Sequence, residues 1–105
     1  MKKPETTFGE RVDKDLRKIF GKNIWIENIQ QVGKRGTPDR LVCLDGDFIA
    51  MELKIDSGAP ADIQLIKLIE IKKAGGKSYV VYPHTWEIIL DEIKAAYGYL
   101  ICTPL

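Results

Sequence analysis

The sequence has 105 residues, of which 45% are hydrophobic and 30% are charged, and these values are typical of one globular domain. Two cysteines and one histidine leave too few ligands for a structural zinc site and too few bases for most histidine-dependent hydrolysis. Sixteen basic and fifteen acidic residues give a net charge of +1, so the overall charge does not indicate a nucleic-acid-binding protein. No apolar run reaches the ~20 residues that cross a membrane, and the expectation is a cytoplasmic protein with reduced cysteines.

The first part of the chain predicts a helix and a strand. Thr7 to Glu10 match a capping box, and apolar residues then recur at helical spacing, which predicts a first helix over residues 7–20. A β-branched and aromatic segment at residues 24–29 predicts the first strand. A polar loop that contains glycine follows it.

Two further strands are predicted on either side of a tight turn. The segments 39–44 and 47–55 flank Asp45-Gly46, the dipeptide most typical of a two-residue type I′ hairpin turn. The sequence therefore predicts a hairpin at this point.

The remaining segment predicts a helix, a strand and a last helix. Pro60 suits the first helical position, and apolar residues from 63 to 71 predict a helix that is well buried. A strand over 78–82 follows, and Thr85 begins a helix that runs to about Tyr97. The order α-β-β-β-α-β-α predicts an α/β fold with a central mixed four-stranded sheet flanked by helices.

The hairpin turn determines which side chains face each other. If Asp45 and Gly46 are the two loop residues, directly opposed residues have numbers that sum to 91, so Asp39 faces Glu52. Lys54 then points to the same side of the sheet. A three-residue loop would instead make the sum 92 and place Asp39 opposite Leu53.

Two opposed carboxylates at such a position predict a metal site. They repel each other, so one binds a proton unless a cation lies between them. Mg²⁺ is held by one or two carboxylates and leaves room for phosphate oxygens. Lys54 can then orient or deprotonate a water, or stabilise charge on a phosphoryl oxygen. The alternative is that Asp39 is only a turn residue and that Glu52 and Lys54 form an ion pair at a sheet edge.

Several short motifs follow one another in order between residues 36 and 83. They are Gly36-Thr37-Pro38-Asp39-Arg40, the segment Phe48 to Lys54, Gly58, Gln64, Ala74-Gly75-Gly76 and Val80-Val81. This ordered set resembles the PD-(D/E)-x-K nuclease superfamily and, within it, the VRR-NUC (virus-type replication-repair nuclease) family. The resemblance covers nearly the whole chain and implies a single restriction-endonuclease-like domain over residues 1–105.

The resemblance implies a role for each motif residue. Asp39 and Glu52 bind Mg²⁺ or Mn²⁺, the backbone carbonyl of Leu53 is a further ligand, and Lys54 is the catalytic lysine. Gln64 helps to position the site, with a solvated polar residue on the helix edge as the alternative.

The family also carries an acidic residue on its first helix that reaches the metal. Glu10 is the candidate in this sequence, although it also fits the capping-box glutamate, and Glu5 is the reserve. Gly9 stands where related resolvases tend to carry that acid.

Basic and aromatic residues are further candidates for contact with nucleic acid. Lys34, Arg35 and Arg40 flank the predicted site and are candidates for DNA phosphate contacts, with plain solvation as the alternative. The aromatic residues are expected in the core rather than as base-stacking platforms; they are Trp25, Tyr79, Tyr82 and Trp86.

The resemblance implies a Mg²⁺-dependent DNA endonuclease that prefers branched DNA, as Holliday-junction resolvases do, and that acts as a homodimer. The apolar tail 99–105 and the face of the first helix are the candidate dimer surfaces. The rivals are a DNA-binding module that has kept the fold without catalysis and a structural interaction protein. The sequence leaves open the preferred DNA structure, the cleavage polarity and whether one or two metals bind.

Overall fold

The helices and strands follow one another in the predicted order. The computed structural model describes residues 2–29, 36–56 and 58–99, and all of the elements named below lie within them. They are α1 (Pro4–Phe20) with a 3-10 turn at Gly21–Asn23, β1 (Ile24–Asn28), β2 (Arg40–Leu44), β3 (Asp47–Leu53), α2 (Asp62–Lys73), β4 (Lys77–Val81) and α3 (Trp86–Ala96). The predicted α/β fold is therefore confirmed.

The four strands form one mixed sheet in the order β1-β2-β3-β4. β1 and β2, and β2 and β3, are antiparallel, whereas β3 and β4 are parallel because α2 carries the chain back between them. Arg40 pairs with Met51 and Leu44 with Asp47, so paired residue numbers sum to 91. Asp45 and Gly46 both have positive φ (50° and 88°), as a type I′ turn requires. The predicted register is confirmed, and the three-residue loop is excluded.

One face of the sheet carries the hydrophobic core. α1 and α3 contribute most of their apolar residues to it, and alternate residues of all four strands meet them. The buried apolar residues of this cluster are Phe8, Val12, Leu16, Phe20, Ile26, Val42, Leu44, Ile49, Met51, Val81, Trp86, Leu90 and Ile93. The indole Nε1 of Trp86 donates to Asp15 Oδ2 (2.9 Å), which joins the two helices across this face.

The other face of the sheet is only partly covered by the described elements. α2 packs over β3 and β4, but within the described residues Leu68 is its one buried residue, so the prediction of a well-buried helix is wrong. No described element covers the same face of β1 and β2, where Trp25 is 57% exposed and not in the core as predicted. The apolar composition of α2 misled the prediction because composition cannot show how many neighbours a helix has.

α1 begins earlier than predicted. It starts at Pro4 with Lys3 as the N-cap, and no side chain caps it. Thr7 lies inside the helix, where its Oγ1 donates to the carbonyl of Lys3 (3.3 Å). The capping-box prediction is therefore wrong, because the preference of proline for the first turn determines the start of the helix.

The C-terminal part of the described chain returns to the end of α1. The rings of Phe20 and Tyr99 meet edge to face with centroids 4.6 Å apart, and Asn23 donates to the Tyr99 hydroxyl (2.9 Å). The predicted apolar tail beyond Tyr99 lies outside the described residues. Within the part of the chain that the structure describes, no helix is long and apolar enough to span a membrane.

Candidate active site

Asp39 directly precedes β2, at the open end of the hairpin that β2 and β3 form. Pro38 before it is buried, and the Asp39 carbonyl accepts a hydrogen bond from the Ile29 amide (3.0 Å), which extends the pairing of β1 and β2 by one residue. Its carboxylate Oδ2 accepts a hydrogen bond from the Leu53 amide (2.8 Å). The carboxylate is thus held across the hairpin against β3, where register places Glu52.

Glu52 is a buried acid with an unusual environment. The residue is 2% exposed, and its Oε2 atom is buried without a hydrogen-bond partner among the described residues. Burial and the negative charge of Asp39 raise the pKa of the Glu52 carboxyl to about 8, against the opposing effect of Lys54. At neutral pH the folded protein therefore retains a proton on this acid pair, and a cation bound between the two carboxylates would replace it.

Gln64 holds the other oxygen of Glu52. It lies in the first turn of α2, where its Oε1 accepts a hydrogen bond from the Ala61 amide (2.8 Å), as the third residue of a helix often does. This bond leaves the amide nitrogen free to donate to Glu52 Oε1 (3.0 Å). The structure therefore places Gln64 against the site and not on the solvated edge of the helix.

Lys54 follows the last residue of β3 and lies beside Asp39, Glu52 and Gln64. Its amide donates to the Val81 carbonyl (2.9 Å), which fixes the backbone beside β4. Its side chain is half-buried and lines a cavity of about 390 Å³ together with Asp39, Glu52 and Gln64. The predicted convergence of two acids and a lysine on one side of the sheet is therefore found in the structure.

The first helix brings Glu5 to this cavity, and not Glu10. Glu5 and Thr6 line the cavity beside Asp39. Glu10 lies on the exposed surface, where its Oε2 atom pairs with Lys2 Nζ (2.8 Å). Because α1 begins at Pro4, the residues that overlook the cavity are those of its first turn, which favours the reserve candidate over the first choice.

Arg40 has a different environment from the one predicted. It is buried on the α1 side of the sheet, where Nε and Nη2 donate to the two carboxylate oxygens of Asp13 (2.8 and 3.2 Å). Nη1 donates to Asn28 Oδ1 (2.9 Å) and to the Asp39 carbonyl (3.2 Å). The expectation that Arg40 contacts DNA phosphates is corrected, because its donors are already used inside the fold. Lys34 and Arg35 lie outside the described residues.

Sequence reasoning missed the partners of Arg40. Its guanidinium lies against Gly9 of α1, where a Cβ atom would lie 2.5 Å from Nη2. A glycine in the middle of a helix, four residues before an aspartate, is the signal that could have indicated a close approach. Gly9, Asp13 and Asn28 together hold the start of β2, which carries Asp39.

The donor set suits a hard divalent cation. Among residues 2–29, 36–56 and 58–99, no group of three or more His, Cys, Asp and Glu side chains is arranged to hold a metal ion. Mg²⁺ does not need such a group, since one or two carboxylates, a carbonyl and waters suffice. The unpartnered Oε2 of Glu52 beside Asp39 is the feature that a cation would satisfy, so the residues fit this ion.

No family model matches the sequence, and no curated protein matches it. A solved structure described as a VRR_NUC domain superposes with a TM-score of 0.61 and 24% sequence identity, over 86% of this chain and 96% of that one. The chain has the VRR_NUC fold. The resemblance that the motifs predicted is confirmed at the level of the fold.

The candidate residues come from two adjacent parts of this fold. The central hairpin supplies Asp39, Glu52 and Lys54, and the helix after it supplies Gln64. Similar structure at this identity shows the architecture and not the chemistry.

Proposed function

We propose that the protein is a metal-dependent endonuclease that hydrolyses phosphodiester bonds in DNA. The observation that carries this proposal is the buried Asp39 and Glu52 pair, which has an unpartnered oxygen and a carboxyl pKa raised to about 8, next to Lys54 in an open cavity. An uncompensated acid pair is costly in a purely structural role. It is useful where a cation and a phosphate group bind together.

Asp39 and Glu52, with the carbonyl of Leu53, are the residues that would hold Mg²⁺ or Mn²⁺. The bound ion supplies Lewis-acid stabilisation of charge on phosphate oxygens and lowers the pKa of bound water. The hydrogen bond from the Leu53 amide orients Asp39, and the one from Gln64 orients Glu52, so both acceptors are preorganised.

Lys54 is the residue that acts on the reacting water or on the scissile phosphate. Its ammonium makes no hydrogen bond or ion pair with another side chain in the described part of the chain, so it is available to a substrate. A lysine at this place donates a hydrogen bond to a phosphoryl oxygen or accepts a proton from water when deprotonated. Glu5 lines the same cavity and is the candidate acid of the first helix.

Branched DNA is the proposed substrate, and the acting species is a homodimer. Both statements rest on the resemblance of the sequence motifs to the VRR-NUC family, and the similarity to a solved VRR_NUC domain supports the fold that they require. Two symmetric nicks need two sites related by a twofold axis.

The test is cleavage of a labelled four-way junction beside flap, nicked and single-stranded DNA, with Mg²⁺, Mn²⁺ or EDTA. We expect cleavage that depends on the metal and falls at least about 10²-fold in Asp39→Asn, Glu52→Gln and Lys54→Ala. Asp45→Asn is the matched control for the aspartate, because Asp45 is exposed in a turn that accepts asparagine and should keep full activity.

Two results would contradict the proposal. Cleavage in EDTA, or cleavage unchanged in Asp39→Asn and Lys54→Ala, would rule out this site. Tight, salt-sensitive binding without cleavage in any metal would favour the DNA-binding module instead.

A further inference from the structure

Arg40 and Asp13 form a buried ion pair beside the candidate site. Their side chains are 7% and 18% exposed. Nε and Nη2 of Arg40 each donate to one oxygen of the Asp13 carboxylate (2.8 and 3.2 Å), and this two-point contact restrains the plane of the guanidinium. Burial of two charges costs about as much free energy as their attraction returns, so the pair is weak evidence for stability. What it provides is a fixed position for the guanidinium.

The third nitrogen of Arg40 connects this pair to Asp39. Nη1 donates to the Asp39 backbone carbonyl (3.2 Å) and to Asn28 Oδ1 (2.9 Å). The same carbonyl accepts a hydrogen bond from the Ile29 amide (3.0 Å), so the peptide group after Asp39 is held by two donors. The Asp39 carboxylate, one residue from this anchor, accepts from the Leu53 amide (2.8 Å). The orientation of the carboxylate therefore depends on where the guanidinium lies.

One side of α1 determines the position of the guanidinium. Residues four apart in a helix differ by about 40° around its axis, so Glu5, Gly9 and Asp13 lie on the same side of α1. Asp13 binds Arg40, and Gly9 leaves space for Nη2, from which a Cβ atom would be 2.5 Å away. Glu5 lines the cavity. The contact of α1 with Arg40 therefore also fixes Glu5 relative to Asp39.

We infer that Asp13 and Arg40 are positioning residues, which hold the Asp39 carboxylate in the orientation in which it binds a divalent cation. Both oxygens of Asp13 are bonded to Arg40, so Asp13 acts through Arg40 and Asp39 and not by contact with the ion. That this orientation serves a metal ion rests on the proposed function. Removal of a group that orients a metal ligand commonly lowers metal affinity about 10–100-fold.

The first test measures amide hydrogen exchange of the metal-free chain by NMR. The Leu53 amide reports on the Asp39 carboxylate, whereas the Lys54 amide, which is bonded to β4, is an internal reference. In Asp13→Asn we expect the Leu53 amide to exchange about tenfold faster relative to the Lys54 amide. A purely structural role predicts the same change at both amides, because general destabilisation increases exchange throughout the sheet.

Asp15→Asn is the matched control for both tests. Asp15 lies on the same helix, and its carboxylate accepts a hydrogen bond from Trp86 Nε1 (2.9 Å), so it joins α1 to α3 and not to β2. This substitution should leave the ratio of the two exchange rates unchanged even where it lowers stability. Thermal unfolding checks that each variant is folded.

The second test measures Mn²⁺ affinity by titration calorimetry without DNA. We expect it to fall about 10–100-fold in Asp13→Asn and in Arg40→Lys, and to stay unchanged in Asp15→Asn. Lysine keeps the positive charge but lacks the fork of donors that bonds Asp13 and the Asp39 carbonyl at once. A loss of affinity in Arg40→Lys therefore shows that the geometry is required, and wild-type affinity there would contradict this.

A double variant separates positioning from stability. Asp13→Leu combined with Arg40→Met replaces the buried ion pair by apolar side chains, a change that proteins often tolerate without loss of stability. We expect this variant to fold and still to bind Mn²⁺ about 10–100-fold more weakly, because no side chain then holds the Asp39 carbonyl. Wild-type affinity in the folded double variant would overturn the inference.

The remaining outcomes separate the inference from the proposed function. Equal changes at the two amides, or wild-type Mn²⁺ affinity in Asp13→Asn, overturn the positioning role. A wild type that binds no Mn²⁺ overturns the metal site of the proposed function, and amide exchange then decides by itself whether Asp13 positions Asp39. Because neither test uses DNA, a protein that binds Mn²⁺ and does not cleave DNA counts against the proposed function alone.

Discussion

The two faces of the sheet differ in how many apolar side chains are buried against them. Under α1 and α3, thirteen buried apolar residues form a continuous core, and Leu16 and Trp86 are fully enclosed. Under α2, one leucine is buried in the helix, and the neighbouring space contains Glu52, whose Oε2 has no partner. Most of the stability therefore comes from one face, while the other carries the polar groups and the exposed apolar surface that can bind ligands.

The largest expected change in stability tests whether most of the stability comes from the face under α1 and α3. Leu16→Ala removes a fully buried side chain from the core face, and we expect it to reduce the free energy of unfolding by about 2–5 kcal/mol. Leu65→Ala on α2 removes the same atoms from a side chain that is 37% exposed, and should cost less than about 1 kcal/mol. Urea denaturation of both variants measures the two losses of unfolding free energy. Equal losses would contradict the conclusion that one face supplies most of the stability.

The protein should become more stable when the repulsion between Asp39 and Glu52 is removed. In Glu52→Gln the amide oxygen keeps the bond from Gln64, and the new amide nitrogen can donate to Asp39. We expect the metal-free protein at pH 8 to gain about 1–3 kcal/mol in stability while it loses activity. Denaturation and cleavage assays on the same preparation measure the stability and the activity. A loss of stability would contradict the conclusion that Asp39 and Glu52 repel each other in the metal-free protein.

The same acid determines how stability depends on pH. Because the folded pKa of Glu52 is raised from 4.5 to about 8, the folded state retains a proton that the unfolded chain has released between these values. The free energy of unfolding of the metal-free wild type should therefore fall as the pH rises from about 4.5 to 8, and then level off. Glu52→Gln should lack this slope, and Mn²⁺ should reduce it by replacing the proton.

A smaller effect is expected where α1 meets Arg40. Gly9→Ala places a Cβ atom 2.5 Å from Nη2 of Arg40, so the guanidinium has to move away from Asp13 and from the Asp39 carbonyl. We expect a net loss of about 1–2 kcal/mol after the better helix propensity of alanine is included. Lys14→Ala, at an exposed position of the same helix, is the control and should change stability little.

The smallest expected effect concerns the loop before α2. The Tyr82 hydroxyl donates to the Gly58 carbonyl (2.9 Å) and ties this loop to the end of β4. Tyr82→Phe should cost about 0.5–1 kcal/mol and should weaken the positioning of Gln64 only slightly. Melting temperature and the Michaelis constant for DNA measure the two effects, and a large loss of activity would show that the loop has a greater role.

The sequence by itself determined the hairpin and its register. Asp45-Gly46 specifies a turn with two positive φ angles, and a two-residue turn leaves one pairing of the strands, which brings Asp39 to Glu52. These are local constraints on neighbouring residues, so they can be recognised without the rest of the fold.

Only the tertiary structure decided the environment of each residue. Arg40 is buried with Asp13, α2 has a single buried residue, and Glu5 rather than Glu10 lines the cavity, and each of these depends on segments that are distant in the sequence. Sequence periodicity shows that a helix has an apolar face, but not whether another element covers it. Burial is a property of the packed molecule, because it is measured by the neighbours that exclude water.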